Sequence, residues 1–329
     1  MSIKQFPGGI VTKNPTAPTT AAAKGIWTLG QAADFVKQGI WPRIPGAPTI
    51  GTATAGVNSA TVAYTAPTDL GTGTVTFTAT SSPGGLTGTG ASPITVNGLT
   101  NGTAYTFTVT ASTPGGTSAP SAASNSVTPA LPAIGAAFGG GFYAGQIGVS
   151  SVATHNLVVG PKSSAQNSSK QYKNEATATS GADSVINGPQ NTADIVADGN
   201  STVYPAAHFC NDLVIGGYSD WYMPAKNELE VCYYNLKPTT KTNGTGGSIG
   251  QNPNAVPARA SSYTSGTPAQ TSAADFQDAG TEAYSPLSYW ASTEHSATAG
   301  YFQSFYDGYQ GLLTKTTSSR VRAIRRVAV

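Results

Sequence analysis

Short runs of alternating apolar and polar positions fill most of the chain, and one stretch near its centre shows a helical stripe instead. That stretch is Gly216–Leu236. Gly216-Gly217 and Ser219-Asp220 mark a turn, the aromatic pair Trp221-Tyr222 follows, and Pro224 stands where a helix can open, since proline lacks only an N–H that would be unpaired there. Leu229, Cys232, Tyr233 and Leu236 then fall at i, i+3, i+4 and i+7, one apolar face of a short helix. Trp221 and Tyr222 are expected to anchor the turn onto whatever that face packs against.

Elsewhere the period is two. Between residues 46 and 129, strands are expected at Val57–Tyr64, Thr74–Thr80, Ile94–Val96 and Tyr105–Thr110. Turns separate them at Pro83-Gly84-Gly85, Asn97-Gly98, Asn101-Gly102 and Pro114-Gly115-Gly116. This spacing predicts a β-sandwich. Residues 130–138 read as a linker. From 139 to 329 strands are expected at Phe142–Ile147 and Asn156–Gly160, a helix at Asn191–Ala197 or Ala206–Leu213, and closing strands from Tyr289-Trp290 with a hairpin turn at Asp307-Gly308. Residues 237–285 form a long polar insertion, expected to be either functional or loosely ordered.

Residues 1–45 differ from both regions. The first 25 are an arm rich in Pro, Thr and Ala. Thr28 then caps a short helix with Gln31 as its reciprocal partner, and Gly39 and Pro42 end it. Trp27, Leu29, Phe35, Val36 and Trp41 are too much apolar surface for one such helix to bury, so this element is expected to dock on another protein or another copy, with the chain's own next domain as the alternative.

Composition supports a mostly β, multidomain chain. Of 329 residues only 10% are charged, against about 25% in ordinary soluble domains. The net charge of +2 leaves no footprint for nucleic acid. No apolar run is long enough to span a bilayer, and Met1–Gln5 does not lead into the apolar core of a signal peptide, so neither membrane insertion nor secretion through such a signal is expected. Cys210 and Cys232 lack metal-site spacing, and no structural metal or other cofactor is expected. They are read either as two buried small hydrophobes or as a disulfide formed after release.

Three resemblances sharpen this reading. The run Gly98-Leu99-Thr100-Asn101-Gly102-Thr103-Ala104-Tyr105-Thr106-Phe107-Thr108-Val109 resembles the fibronectin type III signature. It implies that Tyr105 is a corner residue whose hydroxyl bonds back to the chain, and that Val62 or Tyr64 fills the space of the family's missing strand-B tryptophan. The run Gly217-Tyr218-Ser219-Asp220-Trp221-Tyr222-Met223-Pro224 with Glu228-Leu229, then Tyr289–Ser296, then Phe305–Gly308 and Val321–Arg325, resembles the Lcl C-terminal (DUF1566) family. That implies an α+β, C-type-lectin-like fold for 139–329. The family usually carries Thr or Ser where Ala225 stands, so this helix start is expected to be weaker by about 1 kcal/mol. Finally, Trp27-Thr28-Leu29 with Gly39-Ile40-Trp41-Pro42 is similar to N-terminal elements of tailed-phage structural proteins, marine ones in particular.

No phosphate loop, zinc-protease or dinucleotide motif occurs, and no enzyme is expected. Glu294-His295 is the one tempting acid–base pair, but Glu294 belongs to the resembled signature, which favours a structural role. Arg320, Arg322, Arg325 and Arg326 are expected on the outward face of a terminal strand, solvated or ion-paired, with an anion or acidic-glycan site as the alternative. Tyr301, Gln303, Tyr306, Asp307, Tyr309 and Gln310 are the candidate ligand-binding residues, because tyrosine offers large contact area at low entropy cost and the amides and Asp307 supply hydrogen bonds. Their alternative role is simply to cover the core.

The function expected from these readings is that of a phage virion surface protein, on a tail fibre, tip or head fibre, made in the host cytoplasm. Its N-terminal segment would hold other virion proteins, and its C-terminal domain a host-surface glycan or envelope protein. A homo-oligomer, guessed as a trimer, is expected. The competing expectations are a decoration protein without a specific ligand and a bacterial surface adhesin.

Overall fold

In the computed structural model the described residues are 43–329 together with Gln31, Asp34, Lys37 and Gln38. The docking residues expected at Trp27, Leu29, Phe35, Val36 and Trp41 lie outside them. The chain divides between Leu131 and Pro132 into two units, and its architecture is mostly β.

The first unit is a sandwich of seven strands: β1 Thr49–Ala55, β2 Ser59–Thr65, β3 Thr76–Ser82, β4 Thr87–Thr89, β5 Ile94–Asn97, β6 Thr106–Thr113 and β7 Gly116–Thr117. One sheet has the order β1-β2-β5 and the other β4-β3-β6-β7. Alternation decides what goes inside: Phe107, Val109 and Ala111 of β6 are buried, with Val62, Ile94 and Val96 against them. Tyr105 is buried and its hydroxyl accepts from the Thr100 N–H at 3.1 Å, the corner bond expected of a fibronectin type III sandwich. Val62 fills the core, while Tyr64 is only half-buried and packs on Phe77 at 4.7 Å. The strand at β1 escapes the pattern, because its sequence TIGTATA carries a single large apolar residue.

The outer side of β6 is closed by an irregular segment, residues 118–124. The hydroxyls of Ser118, Ser121 and Ser124 accept from the N–H groups of Ala111, Val109 and Phe107 at 2.9–3.0 Å. The same three serines donate their own N–H groups to those residues' carbonyls. Serine at every third position thus completes the ladder where Pro120 could not.

The second unit holds two sheets. β8 Ala137–Phe138, β9 Gly141–Val149, β10 Val152–Val159 and β16 Ile324–Ala328 form one, in the order β16-β10-β9-β8. β11 Gln166–Gln171, β15 Ser318–Arg322, β12 Ser288–Glu294, β13 Ala299–Ser304 and β14 Gln310–Thr314 form the other, in that order. Besides a single helical turn at Lys162–Ala165, three longer helices pack with them: α1 Gly188–Asp198, α2 Pro205–Asn211 and α3 Lys226–Leu236. Both helical alternatives read from the sequence are therefore present. Part of the expected linker is not a linker, because Ala137–Phe138 pairs with β9.

α3 buries its stripe of Leu229, Cys232, Tyr233 and Leu236, and also Glu228, Glu230 and Val231, so it is enclosed on most of its circumference. Its start shows how a missing cap is replaced. Ala225 has no hydroxyl, yet the Lys226 N–H donates to Thr293 Oγ1 at 2.9 Å and the Asn227 N–H to the Val185 carbonyl at 2.8 Å. The Glu228 carboxylate reaches back to the Ala225 N–H at 2.7 Å, the surviving half of a capping box. Trp221 and Tyr222 are buried as expected, and Tyr222 exchanges both backbone bonds with Ile324.

The 237–285 insertion has one short 3-10 turn, Ala274–Phe276, but is not loosely attached. Ala255, Tyr263, Phe276 and Tyr284 join the same core as α3. Of the two readings of the cysteines the disulfide is not formed: Cys232 lies in that core, Cys210 in the second one around Trp221 and Trp290, and both are free and buried. Burial pushes the Cys232 thiol up to about 12, and the Cys210 thiol up as well, so both are held as thiols.

Candidate ligand-binding surface

The β13–β14 hairpin turns at Gly308, whose φ is +80°. A Cβ at this position would stand 2.4 Å from the Tyr233 ring and 2.8 Å from that of Tyr263, so only glycine fits. The turn is pinned by Gly308 N–H to the Ser304 carbonyl at 3.0 Å, Tyr309 N–H to Asp307 Oδ1 at 3.2 Å, and Gly244 N–H to the Asp307 carbonyl at 2.7 Å. On this fixed base Tyr306, Tyr309 and Leu312 stand 45–48% exposed.

The six residues proposed from the sequence do not form one cluster. Gln303 pairs across the ladder with Gln310, and Tyr301 with Leu312, so strand alternation sets these four on the face toward α3. Tyr309 belongs to the opposite face, 6.0 Å from the Phe302 ring. Tyr306 and Asp307 are in the turn itself. Gln303 is fully buried and unavailable at the surface; its Oε1 has no partner.

On the α3 face Tyr301 gathers residues that no motif or spacing combines. Its hydroxyl and His295 Nδ1 are 3.1 Å apart, and Lys226 Nζ lies 5.0 Å from its ring centroid. Gln310 Nε2 donates to the Lys226 carbonyl at 3.1 Å. Burial lowers the Lys226 ammonium below the usual lysine range, and the Glu230 carboxylate partly restores it. Lys226 was missed because its neighbours come from strands more than sixty residues away.

Beneath this surface the charges are paired. Glu228 accepts from Tyr222 Oη at 2.5 Å, Arg326 Nε at 2.7 Å, and the N–H groups of Ala225 and Gly188. Burial pushes its carboxyl up, and these donors pull it part of the way back. Glu230 is likewise pushed up by burial and is bound by Arg259, Tyr263 and Asn252. The basic C-terminus is therefore not an outward row: Arg322 is fully buried on Glu282, and Arg325 is buried on Asp220 through bonds of 2.7 and 2.8 Å. Two sheets meet here, so both faces of these strands are covered. Glu294 and His295 do not act on each other. Glu294 is bound by Lys315 at 2.9 Å and the Thr179 N–H at 2.8 Å, while His295 turns to Tyr301. Among the described residues no group of three His, Cys, Asp or Glu side chains could hold a metal ion.

An open groove of about 600 Å³ in the first unit is lined by Tyr64, Val75, Phe77 and Gly90 among others.

No protein-family profile matches the chain, and no curated protein matches it. Solved structures that share part of its fold include domains A168–A170 of titin, at 21% identity and a TM-score of 0.24 over 27% of this chain and 33% of that one. The match thus spans a third of that titin segment. The fibronectin type III domain of human fibronectin type III domain containing protein 3 matches at 22% identity and a TM-score of 0.21, over 27% of this chain and 88% of the domain. Domains d3–d4 of rat CD45 match at 15% identity and a TM-score of 0.24, over 39% of this chain and 75% of that one. At these values the likenesses add nothing about function. The sandwich is established by its own strand order and by the Tyr105 corner.

Proposed function

We propose that this chain is a surface-attachment protein of a phage particle, held by its N-terminal segment and binding the host through residues 132–329, with the sandwich as spacer. The carrying observation is the pair of exposed tyrosines, Tyr306 and Tyr309, on a turn fixed by Gly308 against buried Tyr233 and Tyr263. A rigid base under exposed aromatic side chains suits recognition, since little entropy is lost on binding. The phage setting and the C-type-lectin-like assignment rest on the sequence resemblances alone. The ligand class is a host-surface glycan or envelope protein.

Fluorescently labelled full-length protein should bind susceptible cells, and Tyr306→Ala with Tyr309→Ala together should weaken that binding by about tenfold or more, with Tm nearly unchanged. Unchanged binding by the double variant would move the site elsewhere. Absence of binding to any susceptible host would favour a decoration role instead.

A further inference from the structure

The six arginines of the sequence are Arg43, Arg259, Arg320, Arg322, Arg325 and Arg326. Five of them are paired with a carboxylate: Asp69, Glu230, Glu282, Asp220 and Glu228 respectively, omitting Arg320. Among the described residues the Arg320 guanidinium has neither an ion pair nor a hydrogen bond, and its Nε is buried without a partner. Arg320 is half-buried, and a buried N–H such as its Nε left without an acceptor is costly.

The surroundings of Arg320 suit an acid. Arg320 sits opposite Tyr289 in the parallel β12–β15 pair. The Tyr289 hydroxyl donates to Gln166 Oε1 at 3.0 Å and accepts from the Ser285 N–H at 2.9 Å, which fixes the Gln166 amide. Gln166 Nε2 is left with two unused donors. On β11 the register shifts between Asn167 and Lys170, so Ser168 and Ser169 together oppose Arg320. This bulge widens the sheet there and leaves both serines exposed. Leu287, two residues before Tyr289, is 49% exposed.

We propose that Arg320 and Gln166 bind the carboxylate of an acidic sugar, with Ser168, Ser169 and Leu287 meeting its hydroxyls and C–H face. The guanidinium fork matches a carboxylate bidentately, and the rim of hydroxyl and apolar groups matches a pyranose better than a bare ion. This site deepens the attachment reading and rests on it for its biological setting, but not for its chemistry.

The test uses the full-length protein titrated with sodium D-glucuronate, with D-glucose and sodium sulfate as comparisons, following the Arg320 Nε–H resonance. Glucuronate should shift it and glucose at the same concentration should not. Arg320→Met should weaken glucuronate binding by about tenfold or more, the size of one charge-assisted hydrogen bond, with Tm nearly unchanged. No shift with glucuronate, or unchanged binding by Arg320→Met, overturns the proposal. Sulfate acting as strongly as glucuronate identifies a free-oxyanion site and overturns the sugar assignment. If Arg320→Met does not fold, the wild-type resonance decides alone. Cell binding that survives without any glucuronate shift leaves the attachment reading standing and removes only the acidic sugar.

Discussion

Single residues carry the charge balance of the second unit. Glu228 holds Tyr222, Arg326 and two backbone N–H groups at once, all of them within the core around α3. Removing it leaves the buried Tyr222 phenol without its acceptor and the half-buried Arg326 guanidinium with only the Ile186 carbonyl. Glu228→Ala should therefore cost about 3–5 kcal/mol, measured by urea denaturation; a loss under about 1 kcal/mol would show that Arg326 finds water instead. Asp220 sits nearer the surface, and the bonds from Arg325 hold its carboxyl below the usual range. A depressed carboxyl contributes stability that is complete above about pH 4 and disappears as pH falls through the folded value. Asp220→Asn should flatten the acid-side decline in stability, and a decline of unchanged steepness would assign it to other carboxylates. Resemblance marked Glu228 and Asp220 as signature residues, but what they bind became visible only when Arg325 and Arg326 were seen inside the structure. Nothing in the alternation of Arg320, Val321, Arg322 and Ala323 distinguishes an outward arginine from one that meets a second sheet.

At the scale of elements, α3 and the β13–β14 hairpin show the two ways in which pattern reading meets tertiary structure. The stripe of Leu229, Cys232, Tyr233 and Leu236 located the helix, because a period of 3.6 is a property of the chain itself. Its cap was not legible, since Thr293, which receives the Lys226 N–H, lies on β12. Thr293→Val should lower stability by about 1–2 kcal/mol in chemical denaturation, and no loss would mean that water replaces the hydroxyl. In the hairpin the Asp-Gly turn was legible and the candidate tyrosines were not separable. Tyr301 and Tyr309 look alike in sequence, but the register Gln303–Gln310 sends them to opposite faces. One residue of difference in register would have reversed that outcome.

As a whole, the molecule is two units in one chain. The sandwich core around Val62, Phe107 and Val109 and the two cores of residues 132–329 share no member. Two-state behaviour belongs to single domains, so heating should give two cooperative transitions. A variant such as Glu228→Ala should then move the transition of the second unit and leave the other in place; a single transition moved as one would show that the units fold together. The β-rich class, several of the strands and the main turns follow from short-range pattern: alternation, glycine and proline at turns, one helical stripe, and too few charges for long solvent-exposed helices. Which polar groups are buried together did not follow, because it depends on pairs such as Gly160 with Arg322 or Glu228 with Arg326 that lie far apart along the chain. Local pattern was enough for a β-rich chain of separate units with a fibronectin-type sandwich, because alternation and turn residues act over a few positions. Long-range pairing set the rest: Arg322, Arg325 and Arg326 on carboxylates, the two cysteines in different cores, and Arg320 without an ion pair among the described residues, since a hydrophobic period specifies a face but never the partner that covers it.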